Sequence, residues 1–204
     1  FKIHGAALER AITPKTRVII LNSPNNPTGA LITRAELEAV AAAVRGRDIW
    51  VISDDIYDKL VFSGRRADNI LDVAPDLRDH TILINGFSKT YCMTGWRIGW
   101  AAGPLDVIKA MGTIQGHSTS CANAIAQHAG LAALARVDAA HVGMMVREYA
   151  RRATFVQQSL AAIPGIRIAP IAASFYAFPD ISAWFGRAYK GQVINSALAL
   201  SRVL

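Results

Sequence analysis

Cysteine is the scarcest residue with chemistry of its own in this chain. There are two in 204 residues, Cys92 and Cys121, far apart and in no CxxC pair. That excludes a disulfide scaffold and a cysteine-based zinc site, and it fits a reducing, cytoplasmic setting. The five histidines (His4, His80, His117, His128, His141) show no i,i+4 pair and no HExxH, so no metal site is legible. Long apolar runs are missing as well. The longest are strand-sized, such as Val18–Leu21, far short of the roughly 18 residues of a membrane span. Charged residues make up only 18% against 52% hydrophobic, the opposite of a disordered chain, and 15 glycines are too few for collagen. Repeats and low-complexity tracts are absent. Phe1-Lys2-Ile3-His4 is neither an initiator methionine nor a signal peptide. The chain stops within a helical-looking stretch, Ser196–Leu204. Both ends are expected to be cuts within a longer protein.

The net charge is +7, but lysine and arginine are scattered. The densest group, Arg147, Arg151 and Arg152, sits at helical spacing and reads as a solvated face, so nucleic acid is not an expected partner of this segment. The first two thirds alternate strand and helix signals. Val18–Leu21 predicts a buried strand, ended by the turn-rich Asn22–Gly29. Thr33 with Glu36 predicts a capping box, Leu37, Val40, Ala41 and Val44 follow at helical spacing, and Gly46 stands where a helix stops. Further strands are predicted at Ile49–Ile52, Thr81–Ile84 and Ile98–Ala102. The expected fold class is α/β, a three-layer α/β/α domain with a mostly parallel sheet and helices on both faces.

After Pro104 the pattern turns helical: Leu105–Met111, Asn123–Arg136, and one long helix over Asp138–Ala162. A short strand at Ile166–Ile168 and the aromatic run Phe175-Tyr176-Ala177-Phe178 follow. Residues 1–150 are expected to form part of a large domain, and 151–204 a linking helix with the start of a small α+β domain.

In open α/β sheets, ligands bind beyond the carboxyl ends of the parallel strands. Asn26 follows the first strand, Asp54 and Tyr57 the second, Lys89 the third, and Arg97 lies eight residues on. A carboxamide, a carboxylate, a phenol, an amine and a guanidinium together suit pyridoxal phosphate. Lys89 would form a Schiff base with the aldehyde. Asp54 would pair with the pyridinium nitrogen, keeping the ring an electron sink. Tyr57 and Asn26 would meet the ring's phenolic oxygen, and Arg97 would clamp the phosphate.

Three segments carry a resemblance: Ser23-Pro24-Asn25-Asn26-Pro27-Thr28-Gly29, Ser53-Asp54-Asp55-Ile56-Tyr57, and Asn85-Gly86-Phe87-Ser88-Lys89-Thr90-Tyr91-Cys92-Met93-Thr94-Gly95-Trp96-Arg97-Ile98-Gly99. In order and spacing they resemble the class I/II, fold-type I aminotransferases of the aspartate aminotransferase kind. Phe175–Asp180 looks like that family's small-domain strand, so the likeness runs from about Phe1 to Asp180. The resemblance implies transamination between an L-amino acid and a 2-oxo acid. Lys89 is then the Schiff-base lysine and the proton shuttle between the substrate's Cα and the cofactor's C4′. Asp54, Tyr57, Asn26 and Arg97 are cofactor ligands, with Tyr57 in a catalytic role and Asn26 also touching the substrate carboxylate. It further implies a homodimer whose partner is approached through His117–Asn123. Same-fold β-lyases and decarboxylases share these motifs, as does the aminotransferase-like effector domain of some transcription regulators.

There are departures from the pattern. Gly86 stands where the family often has a phosphate-binding serine, and Gly116 where eukaryotic-type aspartate enzymes place a carboxylate-binding arginine. The family's N-terminal phosphate loop and C-terminal arginine have no counterpart in these residues. Two decoys are set aside. Asp54-Asp55-Ile56-Tyr57-Asp58 fits DDxxD, but a strand feeds it rather than a long helix. Gly95, Gly99 and Gly103 repeat at four-residue spacing, which close strand packing explains better than a membrane helix. Ser88 reads as structural, Trp96 and Trp100 as core, and His117 and His128 as helix-surface or satisfied residues.

Overall fold

The computed structural model describes residues 2–204; Phe1, where the resemblance begins, lies outside the described residues. Seven residues of helix α1 (Gly5–Ala11) lead to β1 (Val18–Asn22), then α2 (Arg34–Val44) and β2 (Trp50–Asp54). Next come α3 (Ile70–Val73), β3 (Thr81–Gly86) and β4 (Gly99–Ala102). The four strands form one sheet in the order β1-β2-β3-β4, the first three parallel and β4 antiparallel to β3. This is the α/β fold with a mostly parallel sheet that the strand–helix alternation predicts.

Helix α2 starts where the capping box places it. The Thr33 side chain accepts from the Glu36 N–H, and the Glu36 carboxylate accepts from the Thr33 N–H at 2.8 Å. It stops at Arg45, and Gly46 takes the left-handed φ of +72° that a side chain resists. The buried face of α2 (Leu37, Val40, Ala41, Val44) packs with Ile70 of α3 against Leu21 and Val51, which share one face of the sheet. Residues in register share a face, so Ile20, Ile52 and Ile82 lie together on the other, as does Asp54. On that face Ile20 is 69% exposed.

The second half is helical: α4 (Leu105–Ser118), α5 (Ala124–Arg136) and the 23-residue α6 (Ala139–Ala161). Two short two-stranded pieces follow, β5 (Arg167–Ile168) with β6 (Pro179–Asp180) and β7 (Ala188–Tyr189) with β8 (Gln192–Val193), then α7 (Ala197–Val203). Three differences from the sequence reading are physical. Helix α4 runs seven residues past Met111: Gly112 and Gly116 each cost a helix only about 1 kcal/mol and do not stop it, and the Thr113 and Ser118 hydroxyls are satisfied by the carbonyls of Lys109 and Ile114. Of the Phe175–Asp180 strand only Pro179–Asp180 pairs, as β6, and Phe175–Phe178 is irregular. Ser174 adopts φ +59°, turning the chain so that the aromatics fold back over the large sheet's end instead of pairing. Trp96 and Trp100 are not core residues; they are 45% and 47% exposed, one in a 3-10 turn and the other on the edge strand β4.

Gly86 and Gly99 do pack strand to strand. A Cβ on Gly86 would sit 3.0 Å from Gly99 Cα, and one on Gly99 only 2.9 Å from the Asn85 carbonyl oxygen. A side chain at Gly86 would require the β4 backbone to give by a few tenths of an ångström. Among the described residues no single helix is long and apolar enough to cross a membrane.

Candidate active site

The parallel strands β1 and β2 end side by side, Asn22 paired with Asp54. Asn22 then braces the turn that follows: its Oδ1 accepts the Asn26 N–H at 2.8 Å and the Asn25 Nδ2 at 3.2 Å. Asn25 in turn accepts from the Thr28 hydroxyl at 2.7 Å. This side-chain lattice replaces a regular ladder and carries Asn26 out beyond the strand end, where it is exposed. Gly29 closes the turn at φ +68°, with the Tyr176 carbonyl oxygen 3.0 Å from where a Cβ would be.

At the end of β2, adjacent aspartates point to opposite faces. Asp54 remains half-buried and its Oδ1 accepts the Ile56 N–H at 3.3 Å. Asp55 faces inward, 8% exposed, and accepts the Ser53 hydroxyl at 2.6 Å. Burial raises the Asp55 pKa to about 6, with the neighbouring charges of Asp58 and Asp54 adding to it and hydrogen bonds from Ser53 and Asn69 opposing.

Tyr57, three residues on from Asp54, is the hub. Its ring is 3% exposed and meets Phe175 and Tyr176 edge-on, at centroid distances of 5.5 and 5.8 Å. Its hydroxyl lies 2.8 Å from that of Tyr176. Burial first, then the Tyr176 hydroxyl and the Asp54 charge, hold the Tyr57 pKa well above the usual phenol value, while the Asn26 side chain pulls the other way. Tyr57 is thus within electrostatic or hydrogen-bonding reach of both Asn26 and Asp54.

Lys89 arrives from β3. Phe87 is buried with Met93 and Ala133, which anchors the tight turn that follows; the Tyr91 N–H bonds the Phe87 carbonyl at 3.2 Å. The turn projects Lys89 so that its Nζ stands 5.4 Å from the centroid of the Tyr57 ring and 5.3 Å from that of Phe175. No side-chain or backbone acceptor among the described residues takes a hydrogen bond from this amine. Asn26, Asp54, Tyr57 and Lys89, spread over 64 positions of sequence, therefore gather around one phenol.

Arg97 takes a left-handed φ of +51° after the 3-10 turn, and its exposed guanidinium donates to the Thr94 carbonyl at 3.0 Å. Phe175 and Tyr176, which the sequence marks as an aromatic run but not as site residues, stand in the cluster. Their signal was aromatic density just after a serine able to turn the chain. A cavity of about 500 Å³ lined by Lys59, Phe62, Tyr91, Val142, Val146 and Arg147 lies apart and takes no lining from the four gathered residues. Among the described residues no cluster of histidine, cysteine and acidic groups suits a metal.

The donor set fits pyridoxal phosphate. Among the described residues it offers an unbonded primary amine, a carboxylate with no cation paired to it, and a phenol and a carboxamide side by side, with aromatic rings near the amine.

The family described as aminotransferase class I and II matches residues 1–204. An aspartate/prephenate aminotransferase of Cereibacter sphaeroides is 44% identical over 94% of this chain and 48% of its own length. An aspartate aminotransferase of Geobacillus stearothermophilus is 41% identical over 88% of this chain and 46% of its own. The crystal structure of the aspartate aminotransferase from Rhizobium meliloti superposes with a TM-score of 0.91 at 34% identity, covering 98% of this chain and 50% of that one. The chain spans about half the length of the curated relatives it matches.

Proposed function

The chain belongs to the aminotransferase class I and II family, and from that membership we propose that it is the central part of an enzyme moving an amino group between an amino acid and a 2-oxo acid with pyridoxal phosphate. The observation that carries this reading is the unbonded Lys89 amine held against Tyr57, the phenol that Asn26 and Asp54 also reach. Lys89 would hold the cofactor covalently, Asp54 its ring nitrogen, Tyr57 and Asn26 its ring oxygen, and Arg97 its phosphate. Pyridoxal phosphate, when bound, supplies an electron sink for the pair left at the substrate's α-carbon.

The chain's own residues do the rest. Asp54 brings a negative charge, which keeps a ring nitrogen protonated. Tyr57 donates a hydrogen bond to an oxygen anion and limits where that oxygen can sit. Lys89 Nζ, once free of the cofactor, takes the proton from the substrate α-carbon; Tyr57 and Phe175 on either side restrict its path. Asn26, exposed at the rim, meets the substrate carboxylate. For Arg97 to reach phosphate, its side chain would exchange the Thr94 carbonyl for a charged acceptor, a stronger partner.

The relatives' names point to acidic donors such as aspartate, although Gly116 offers no cation for a distal carboxylate. Residues 1–150 are read as part of the cofactor-binding large domain and 151–204 as the linking helix and start of the small one. A homodimer approached through His117–Asn123 and a cytoplasmic setting complete the reading; the two free, exposed cysteines suit a reducing compartment. Amino-donor profiling of the full-length protein tests it. Stoichiometric 2-oxo acid formation from an acidic donor is expected. Release of carbon dioxide or of a β-substituent without amino transfer would contradict it.

A further inference from the structure

Tyr176 lies outside every role described so far, and its position is held from several sides. Phe62 N–H bonds the Ala172 carbonyl at 3.1 Å, Val61 and Ala173 form a bridge, and Ser174 N–H bonds the Leu60 carbonyl at 2.7 Å. The Tyr176 carbonyl rests against Gly29, where any side chain would collide with it at 3.0 Å. Its ring meets that of Phe175 at a tilt, with centroids 4.9 Å apart. The loop bearing Tyr176 is thereby tied to the segments bearing both Tyr57 and Asn26. Its hydroxyl ends 2.8 Å from that of Tyr57, across 119 residues of sequence.

A phenol hydroxyl has one proton to give and lone pairs to accept with. With no ligand oxygen to serve, Tyr57 donates to Tyr176, the sense in which Tyr176 raises the Tyr57 pKa; once Tyr57 gives its proton to a ligand oxygen, the 2.8 Å contact is satisfied only in the reverse sense, by Tyr176 donating to Tyr57. We propose that Tyr176 is a positioning residue for the reaction: it donates a hydrogen bond to the Tyr57 hydroxyl, fixing that rotor and strengthening Tyr57 as a donor to the cofactor's ring oxygen. This rests on the pyridoxal phosphate reading above. The physical basis is that hydrogen bonds in series polarise one another in a low-dielectric setting, and Tyr57 is almost wholly buried. The consequence falls on the ring oxygen. A stronger donor stabilises its anion, so the bound cofactor loses its exchangeable proton at lower pH.

The test is a pH titration of the visible absorbance of the cofactor-loaded, full-length protein, in the parent, Tyr176→Phe, Tyr57→Phe and the double variant. Losing the Tyr57 bond to an oxygen anion should raise the midpoint by about 1–2 pH units. Losing only its reinforcement should raise the midpoint by about 0.3–0.5 unit. In the Tyr57→Phe background the Tyr176 change should have no further effect, an outcome that mere loss of packing would not produce. A Tyr176→Phe midpoint equal to the parent's, or an equal shift with and without Tyr57, overturns the proposal while the cofactor reading stands. A parent protein with no pH-dependent visible band overturns the cofactor reading, and the proposal with it.

Discussion

Asp55→Asn separates the two aspartates at the end of β2. Asp55 has its carboxyl raised from 3.8 to about 6, chiefly by burial. Between these values the folded protein holds a proton that the unfolded chain has released. Its contribution to stability is therefore fully present below about pH 4 and lost as the pH rises through about 6. Two pH units correspond to about 3 kcal/mol at 1.36 kcal/mol per unit, an upper bound because Asp58 and Asp54 share the field. Asparagine is the neutral isostere and its carbonyl can still accept the Ser53 hydroxyl, so it mimics the protonated form. The difference in stability between variant and parent should be near zero at pH 4 and grow to about 1–3 kcal/mol in favour of the variant at pH 7. Urea unfolding of the full-length protein across that range measures it, and taking the difference cancels every group the two proteins share. A difference independent of pH would refute the placement of Asp55. Turnover should stay near the parent's, because this carboxylate faces away from the clustered residues.

Three other outcomes follow from the same geometry. Asp54→Asn removes the charge beside Tyr57 and should lower single-turnover transamination by several orders of magnitude while a cofactor–Lys89 adduct still forms; a loss smaller than that of Asp55→Asn would reverse the two assignments. Ser174→Gly should stabilise the protein by about 1 kcal/mol in thermal or urea unfolding, since it relieves the φ of +59° and deletes a fully buried hydroxyl that has no partner, at some entropic cost to the chain. The 204-residue chain by itself should bind pyridoxal phosphate weakly, show no transamination and tend to aggregate, given the exposed Ile20 face of its sheet; robust turnover would contradict this.

How much of this was legible in the sequence depended on whether the signal was local. The α2 capping box, the strand ends carrying Asn26, Asp54 and Lys89, and the inward turn of Asp55 follow from short-range pattern, because side chains alternate along a strand and caps sit at fixed offsets. Helix α4 was under-read because glycine in an unpacked helix costs only about 1 kcal/mol and does not stop it. The return of Phe175 and Tyr176 to Tyr57 was out of reach, since it depends on one left-handed serine and on bonds to Leu60 and Phe62 more than a hundred residues away. Trp96 and Trp100 are exposed against the sequence expectation because hydrophobicity sets what can be buried, while the neighbouring layer decides what is.

The central claim is that Lys89 is the covalent anchor of the cofactor. Borohydride reduction of the full-length protein, followed by proteolysis and mass mapping, tests it directly. The account predicts a pyridoxyl group on Lys89 and its loss in Lys89→Ala. A pyridoxyl group on Lys2, Lys15, Lys59, Lys109, Lys190 or any lysine outside this segment, with Lys89 unmodified, would contradict it.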